Sequence, residues 1–221
     1  DEAIAVIRSV DIGDVRNPAA VSNLLTVLAD TYHRAGNADS AIAIYDRAIA
    51  LNRENYMAYN NAAYYMAVAD RDLDRAERYA GYAIAAEPEN PTYLDTYAWV
   101  KFKRRDYKDA RTYIDKALRI LLSSVAVTDS VDSELAEVDS IAVVADSAVM
   151  DSIGVPAFDL VEDDSFDENI GNDILEHAGD IYYMCGFPDE AVRFWQRAAA
   201  LRPEDSELLE RKIKVRAYLF K

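Results

Sequence analysis

Four short stretches of this chain follow one pattern. Ala41, Ala76, Ala110 and Ala191 are each followed, seven residues on, by a second alanine: Ala48, Ala83, Ala117 and Ala198. The first three stretches are spaced by 35 and 34 residues. A self-similar period of that size marks an array of small supersecondary units, none of which can bury its apolar surface alone. Stacking is then the only way to a core. The chain is expected to work through a surface that the stack creates.

Each unit reads as two helices. Leu24, Leu25, Leu28, Ala29 and Tyr32 recur at helical spacing before Gly36-Asn37 interrupts them. A second helix follows from about Asp39 to Leu51, with Ala41, Ile44, Tyr45, Ala48 and Ile49 on its apolar face. Alanine at the crossing points lets two antiparallel helices approach closely enough for their ridges to mesh.

These residues resemble the tetratricopeptide repeat (TPR) family. The small first-helix positions are Ala29, Ala63, Ala98 and Gly179. The large second-helix positions are Tyr45, Ala80, Ile114 and Trp195, with Ala80 a departure from the family pattern. The closing proline is present as Pro88 and Pro203 but is Arg53 and Leu122 in the other two units. The resemblance implies an all-α fold, an α-α superhelix (TPR solenoid) with an acidic insertion and a C-terminal capping helix. The units fall at 22–55, 56–90, 91–122 and 172–205. Residues 1–20 read as the second half of an upstream repeat and a linker, and 206–221 as the cap. Its polar face is expected to carry Glu210, Arg211, Lys212, Lys214 and Arg216.

Charge divides the chain unevenly. The net charge is −16, yet 18 of the 40 acids lie between Arg119 and Arg193, where there is no Lys or Arg. The remainder is close to neutral. That balance argues against nucleic acid, whose phosphates call for a basic face. No apolar run approaches the roughly 20 residues of a membrane-spanning helix. The single cysteine, Cys185, excludes an internal disulfide and reads as a buried structural thiol.

The array is interrupted at 123–171, a stretch with 13 acids and no base. Composition of this kind favours disorder. However, Val131, Leu135, Val138, Ala142, Ala145 and Val149 step by four and three residues, which predicts an amphipathic helix over about 130–150. Two accounts stand side by side: a tolerated surface insertion, or an arm that docks on the basic segment 101–111 or on the basic cap.

For function, the resemblance implies a concave groove lined by first helices. In the first unit its positions are Asn23, Val27, Asp30, His33 and Arg34. The partner-binding candidates are Asn60, Asn61, Tyr64, Asp95, Trp99, Phe102, His177 and Asp180. Asn61 can donate to and accept from a partner's backbone. Tyr64, Trp99 and Phe102 offer large apolar area with few rotors to freeze. Each of these rings could instead pack against the neighbouring repeat. A carboxylate-clamp subclass of the family is disfavoured: only Asn61 matches, while Thr26, Asp30, Thr92 and Thr96 stand where its other residues belong.

The expectation is therefore a non-catalytic scaffold that binds a protein or peptide and needs no cofactor. A structural or self-associating module of a larger envelope protein is the alternative. A metal-assisted enzyme centred on His177, with Glu176 and Asp180 beside it, is the remote one. There is no Gly-rich phosphate loop and no HExxH, and two histidines with one cysteine cannot assemble a Cys/His metal cluster. The likeness to bacterial multi-repeat TPR proteins leans toward the periplasm or cell envelope, with the cytoplasm as alternative.

Overall fold

The structure, a computed structural model, describes residues 17–128, 172–201 and 206–219. The expected leading half-repeat, the helix over 130–150 and the rest of the acidic insertion lie outside the described residues, save for a helix end noted below. Among the described residues the fold is all-α, with nine helices: α1 (Pro18–Arg34), α2 (Ala38–Leu51), α3 (Tyr56–Val68), α4 (Leu73–Ala86), α5 (Pro91–Lys103), α6 (Tyr107–Thr128), α7 (Asn172–Met184), α8 (Pro188–Leu201) and α9 (Glu207–Val215). The first eight follow one another as helix hairpins, and α9 packs on α8. Two compact units contain them, Asp1–Ile114 and Asp115–Lys221.

The same turn closes each of the four hairpins. The left-handed position falls at Gly36, Asp70, Arg105 and Gly186. In each case the residue after it returns its N–H to a carbonyl five residues back: Asn37 to Tyr32, Arg71 to Met66, Asp106 to Lys101 and Phe187 to Tyr182. This is the Schellman closure, which satisfies carbonyls that a helix end would otherwise leave open. Glycine enters the left-handed region freely and aspartate more readily than most, whereas Arg105 does so at a cost of about 1–2 kcal/mol. Helix starts are equally regular. The side chains of Asn17, Asn37, Asn55 and Asn90 accept from the first-turn amides of α1, α2, α3 and α5.

In the N-terminal unit the repeat alanines are fully buried, as are Ala29, Ala63 and Ala98 on the facing helices. The first helices also pack on one another, α1 on α3 and α3 on α5. A buried polar knot joins the first two hairpins. Asn55 caps α3 and also donates to Ser22 Oγ at 2.8 Å and Thr26 Oγ1 at 3.0 Å, while Ser22 donates to the Ala48 carbonyl at 2.7 Å. A buried amide fully satisfied in this way specifies the stacking register.

The basic segment 101–111 is partly neutralised by its own unit. Lys101 lies 2.7 Å from Glu77, with Asp106 and Asp109 at 3.6 and 3.5 Å, and Arg104 pairs with Glu77 at 2.8 Å and with Asp74. α6 continues to Thr128, past residue 123 where the insertion was expected to begin.

In the C-terminal unit, α7 buries Leu175, Ala178, Ile181 and Tyr182 against Ala191, Phe194, Trp195 and Ala198 of α8. Tyr182 donates to Asp115 Oδ1 of α6 at 2.7 Å. Cys185 is only half-buried, because it lies past the end of α7, where the chain turns toward solvent. The cap corrects one expectation: Lys212, read as part of its polar face, is 1% exposed.

The buried hydroxyls give the N-terminal unit an alkaline weakness. Burial, reinforced by Asp46, pushes the Tyr79 hydroxyl up to about 12. Burial and then Asp30 push Tyr45 up as well. Burial alone would lower the Lys101 ammonium, but the hydrogen bond it donates to Glu77 and nearby charges hold it above the ordinary lysine range. All three are raised in the folded state. Their contribution is complete below the unfolded values near 10 and is lost as pH rises through the folded ones. The melting temperature, followed by circular dichroism, is expected to fall between pH about 10 and about 12. Tyr79→Phe should make that fall shallower, and a melting temperature that stays flat across the window contradicts the assignment.

Candidate functional site

Six of the eight predicted partner-binding residues stand on two neighbouring first helices. Asn60, Asn61 and Tyr64 belong to α3, and Asp95, Trp99 and Phe102 to α5. The helical turn sorts them by depth. Asn60, Asp95 and Phe102 are buried, while Asn61, Tyr64 and Trp99 are half-exposed. Phe102 lies under Trp99, with centroids 4.8 Å apart and planes at 9°, and meets Tyr107 on its other side at 5.6 Å. Lys103 Nζ stands 6.0 Å from the Trp99 ring. The face therefore leaves Asn61, Tyr64 and part of the Trp99 ring exposed, beside the buried Asn60, Asp95 and Phe102, while the Trp99 indole nitrogen itself is buried.

Asn61 connects this face to α1. Its Nδ2 donates to Asp30 Oδ1 at 3.3 Å, and its Oδ1 accepts from Asn60 Nδ2 at 3.2 Å. The Asn60 Oδ1, in turn, is buried with no hydrogen-bond partner among the described residues. Asp30 also accepts from the Tyr45 hydroxyl of α2, again through Oδ1. Beside the carboxylate, His33 of α1 stacks on Tyr65 of α3 with centroids 3.6 Å apart and planes at 22°. Tyr45 and Tyr65 stand 5.9 Å apart, and Tyr64 meets Tyr65 edge-on at 5.4 Å. Burial lowers the His33 pKa against the upward pull of Asp30, which favours the neutral ring. Burial, then Asp30, raises Tyr65. The result is a half-open polar pocket walled by rings with one carboxylate at its base. Tyr45 and Tyr65 were not among the predicted site residues. Tyr45 carries only a core signal in the sequence, and nothing there reveals that its hydroxyl reaches Asp30.

The remaining two candidates, His177 and Asp180, are on α7 and buried. Asp180 Oδ1 and Oδ2 accept from Lys212 Nζ of α9 at 2.7 and 2.9 Å, and Oδ1 also accepts from the Trp195 indole N–H at 2.9 Å. Glu176 shares the same ammonium at 3.1 Å. Lys212 Nζ lies 5.6 Å from the Trp195 ring and 5.4 Å from Tyr218. Burial pushes the Asp180 carboxyl up and Lys212 pulls it down. Here the acid is committed to an ammonium from its own chain. Among the described residues no group of three His, Cys, Asp or Glu side chains is placed to hold a metal ion. No helix among them is long and apolar enough to cross a membrane.

An open cleft lined by Arg53, Tyr56, Tyr59, Tyr82, Ala85 and Ala86 includes none of these residues. It lies where the start of α3 meets the end of α4.

Comparison with known proteins places the repeat. Residues 22–55 match the family model described as tetratricopeptide repeat. The first hairpin is thus a tetratricopeptide repeat, and its alanine positions and closing turn recur in the other three. The chain is similar in fold to MamA, from position 41 to the end, of Desulfovibrio magneticus RS-1. Identity there is 11%, over 92% of this chain and 86% of that one, with a TM-score of 0.56. A thermophilic TPR protein of Thermus thermophilus aligns at 14% identity over 88% of this chain and 98% of that one, with a TM-score of 0.48. YrrB, a TPR protein with an unusual peptide-binding site, aligns at 17% identity over 87% of this chain and 91% of that one, with a TM-score of 0.40. No curated protein matches the sequence.

Proposed function

We propose that this protein is a non-catalytic interaction scaffold that holds an extended segment of a partner protein against the first helices of its N-terminal unit. The observation that carries the reading is that Asn61, Tyr64 and Trp99, on the adjacent helices α3 and α5, are each partly exposed. The two rings supply rigid contact area, and the amide can match a backbone. Trp99 is held in place by its stack on the buried Phe102, so little ordering remains to be done on binding.

Selection of peptides from a displayed library against the purified chain tests the reading. Enriched peptides are expected to lose about 100-fold in affinity for the Tyr64→Ala/Trp99→Ala variant, since two aromatic anchors are worth about 1–2 kcal/mol each or more. The variant should keep its helical circular dichroism, because both side chains are half-exposed. Unchanged affinity would place the binding surface elsewhere.

A further inference from the structure

The two units contain the same pocket in two states. Asp30 and Asp180 each follow the small residue of a first helix, Ala29 and Gly179. Each accepts, through Oδ1, a hydrogen bond from an aromatic residue fifteen positions on, Tyr45 and Trp195. Each is also met by a third side chain, six residues past the N-cap of the helix that packs next. That residue is Lys212 after Ser206 in one case, and Asn61 after Asn55 in the other. In the C-terminal unit the third group is an ammonium, at 2.7 and 2.9 Å from the carboxylate and 5.6 Å from the aromatic ring. In the N-terminal unit it is a neutral amide, at 3.3 Å from Oδ1 alone.

From this equivalence we propose that the pocket at Asp30 recognises a primary ammonium group, the lysine side chain of a segment lying on α1 and α3. The inference rests on the reading of the first-helix face as the partner surface. Among the described residues no cation lies within ion-pair distance of Asp30, and the hydrogen bonds from Tyr45 and Asn61 both fall on Oδ1. The Tyr65 hydroxyl is a third neutral partner of the same carboxylate. The walls suit a cation: the His33–Tyr65 stack and the Tyr45 ring stand beside the carboxylate. The neutral state favoured for His33 adds no competing charge. Asp30, His33, Asn61 and Tyr65 are half-exposed, so the pocket opens to solvent where its C-terminal counterpart is closed. A carboxylate met only by neutral donors and set between rings leaves room for the compact point charge of lysine rather than the two-pronged fork of arginine. Lys212 shows that this arrangement holds such a group.

The test is a nuclear magnetic resonance titration of the full chain with Nα-acetyl-lysine methylamide, using the norleucine analogue as the uncharged control. The lysine compound is expected to shift the Asn61 side-chain amide and the His33 ring saturably, and the norleucine compound to leave them in place. Asp30→Asn should weaken the lysine response at least about tenfold. Asn61→Lys should abolish it, by filling the pocket from within as Lys212 does, and should raise the melting temperature. This second variant decides the matter if Asp30→Asn does not fold. No saturable shift with lysine, an equal response to norleucine, or a response that survives Asn61→Lys overturns the proposal. The broader groove reading fails on a different result, retained peptide affinity in the Tyr64→Ala/Trp99→Ala variant.

Discussion

Gly179→Ala is expected to destabilise the C-terminal unit by about 3 kcal/mol, at the upper end of what overpacking costs. A Cβ on Gly179 would stand 2.4 Å from both Cδ1 and Nε1 of Trp195 and 3.1 Å from the Ala191 carbonyl oxygen. Neither neighbour can yield easily. Trp195 is fully buried with its indole N–H bonded to Asp180, and the carbonyl is helix backbone. Any escape of the indole would strip a donor from a buried carboxylate. The other hairpins carry alanine at the same position, opposite Tyr45, Ala80 and Ile114 rather than tryptophan. Gly81→Ala is the matched control. The nearest atom to its Cβ would be Tyr97 Cε2 at 4.0 Å. There the gain in helix propensity, about 0.5–1 kcal/mol, acts alone. Chemical denaturation followed by tryptophan fluorescence should show the two glycines moving stability in opposite directions. Equal effects would mean that the Gly179–Trp195 approach does not set the packing.

Lys212→Met is expected to cost about 3–5 kcal/mol, the usual penalty for leaving one member of a buried ion pair behind. Methionine keeps most of the volume and removes the charge. Asp180, itself 2% exposed, would retain only the Trp195 N–H, and Glu176 would lose its cation. α9 spans only Glu207–Val215, and its buried contacts are Leu209 and Lys212. Hydrogen exchange across 207–215 should therefore accelerate before the rest of the unit opens. The defect has a pH signature. Lys212 pulls the Asp180 carboxyl down, so its removal leaves burial to push that carboxyl further up. A raised carboxyl contributes stability that is present below the unfolded value near 3.9 and is lost as pH rises through the folded one. The variant should accordingly lie closest to the parent protein in acid and diverge from it toward neutrality. Lys212→Met combined with Asp180→Asn should recover much of the loss, because no buried charge then stands alone. A Lys212→Met protein as stable as its parent at pH about 7 would contradict this role of the Lys212–Asp180 pair.

The alanine period carried the hairpins, their order and their core, because small residues at crossing points constrain packing wherever they recur. It did not carry the turns. Gly36 announces its left-handed turn and Asp70 is of a type enriched there, but Arg105 occupies the same conformation without a residue type that favours it. Lys212 shows the limit of linear pattern most clearly. On a helical wheel it falls beside Leu208, Leu209 and Val215, but only the three-dimensional structure shows its partner, Asp180, 32 residues away. The site was legible to the level of the helix and not of the depth. Trp99 and Phe102 are three residues apart on α5 and chemically alike, yet one is half-exposed and the other supports it from below. That difference depends on how α5 is rotated against α3 and α6, which no local pattern specifies.

The first-helix face of the N-terminal unit is the partner surface proposed above. Chemical-shift mapping of a library-selected peptide on the full chain tests it most directly. The Trp99 indole N–H, the Asn61 side-chain amide and the backbone amides of α3 and α5 are predicted to move together along a single binding curve. Shifts confined to the cleft of Arg53, Tyr56 and Tyr82, or to the second helices α2 and α4, would contradict it.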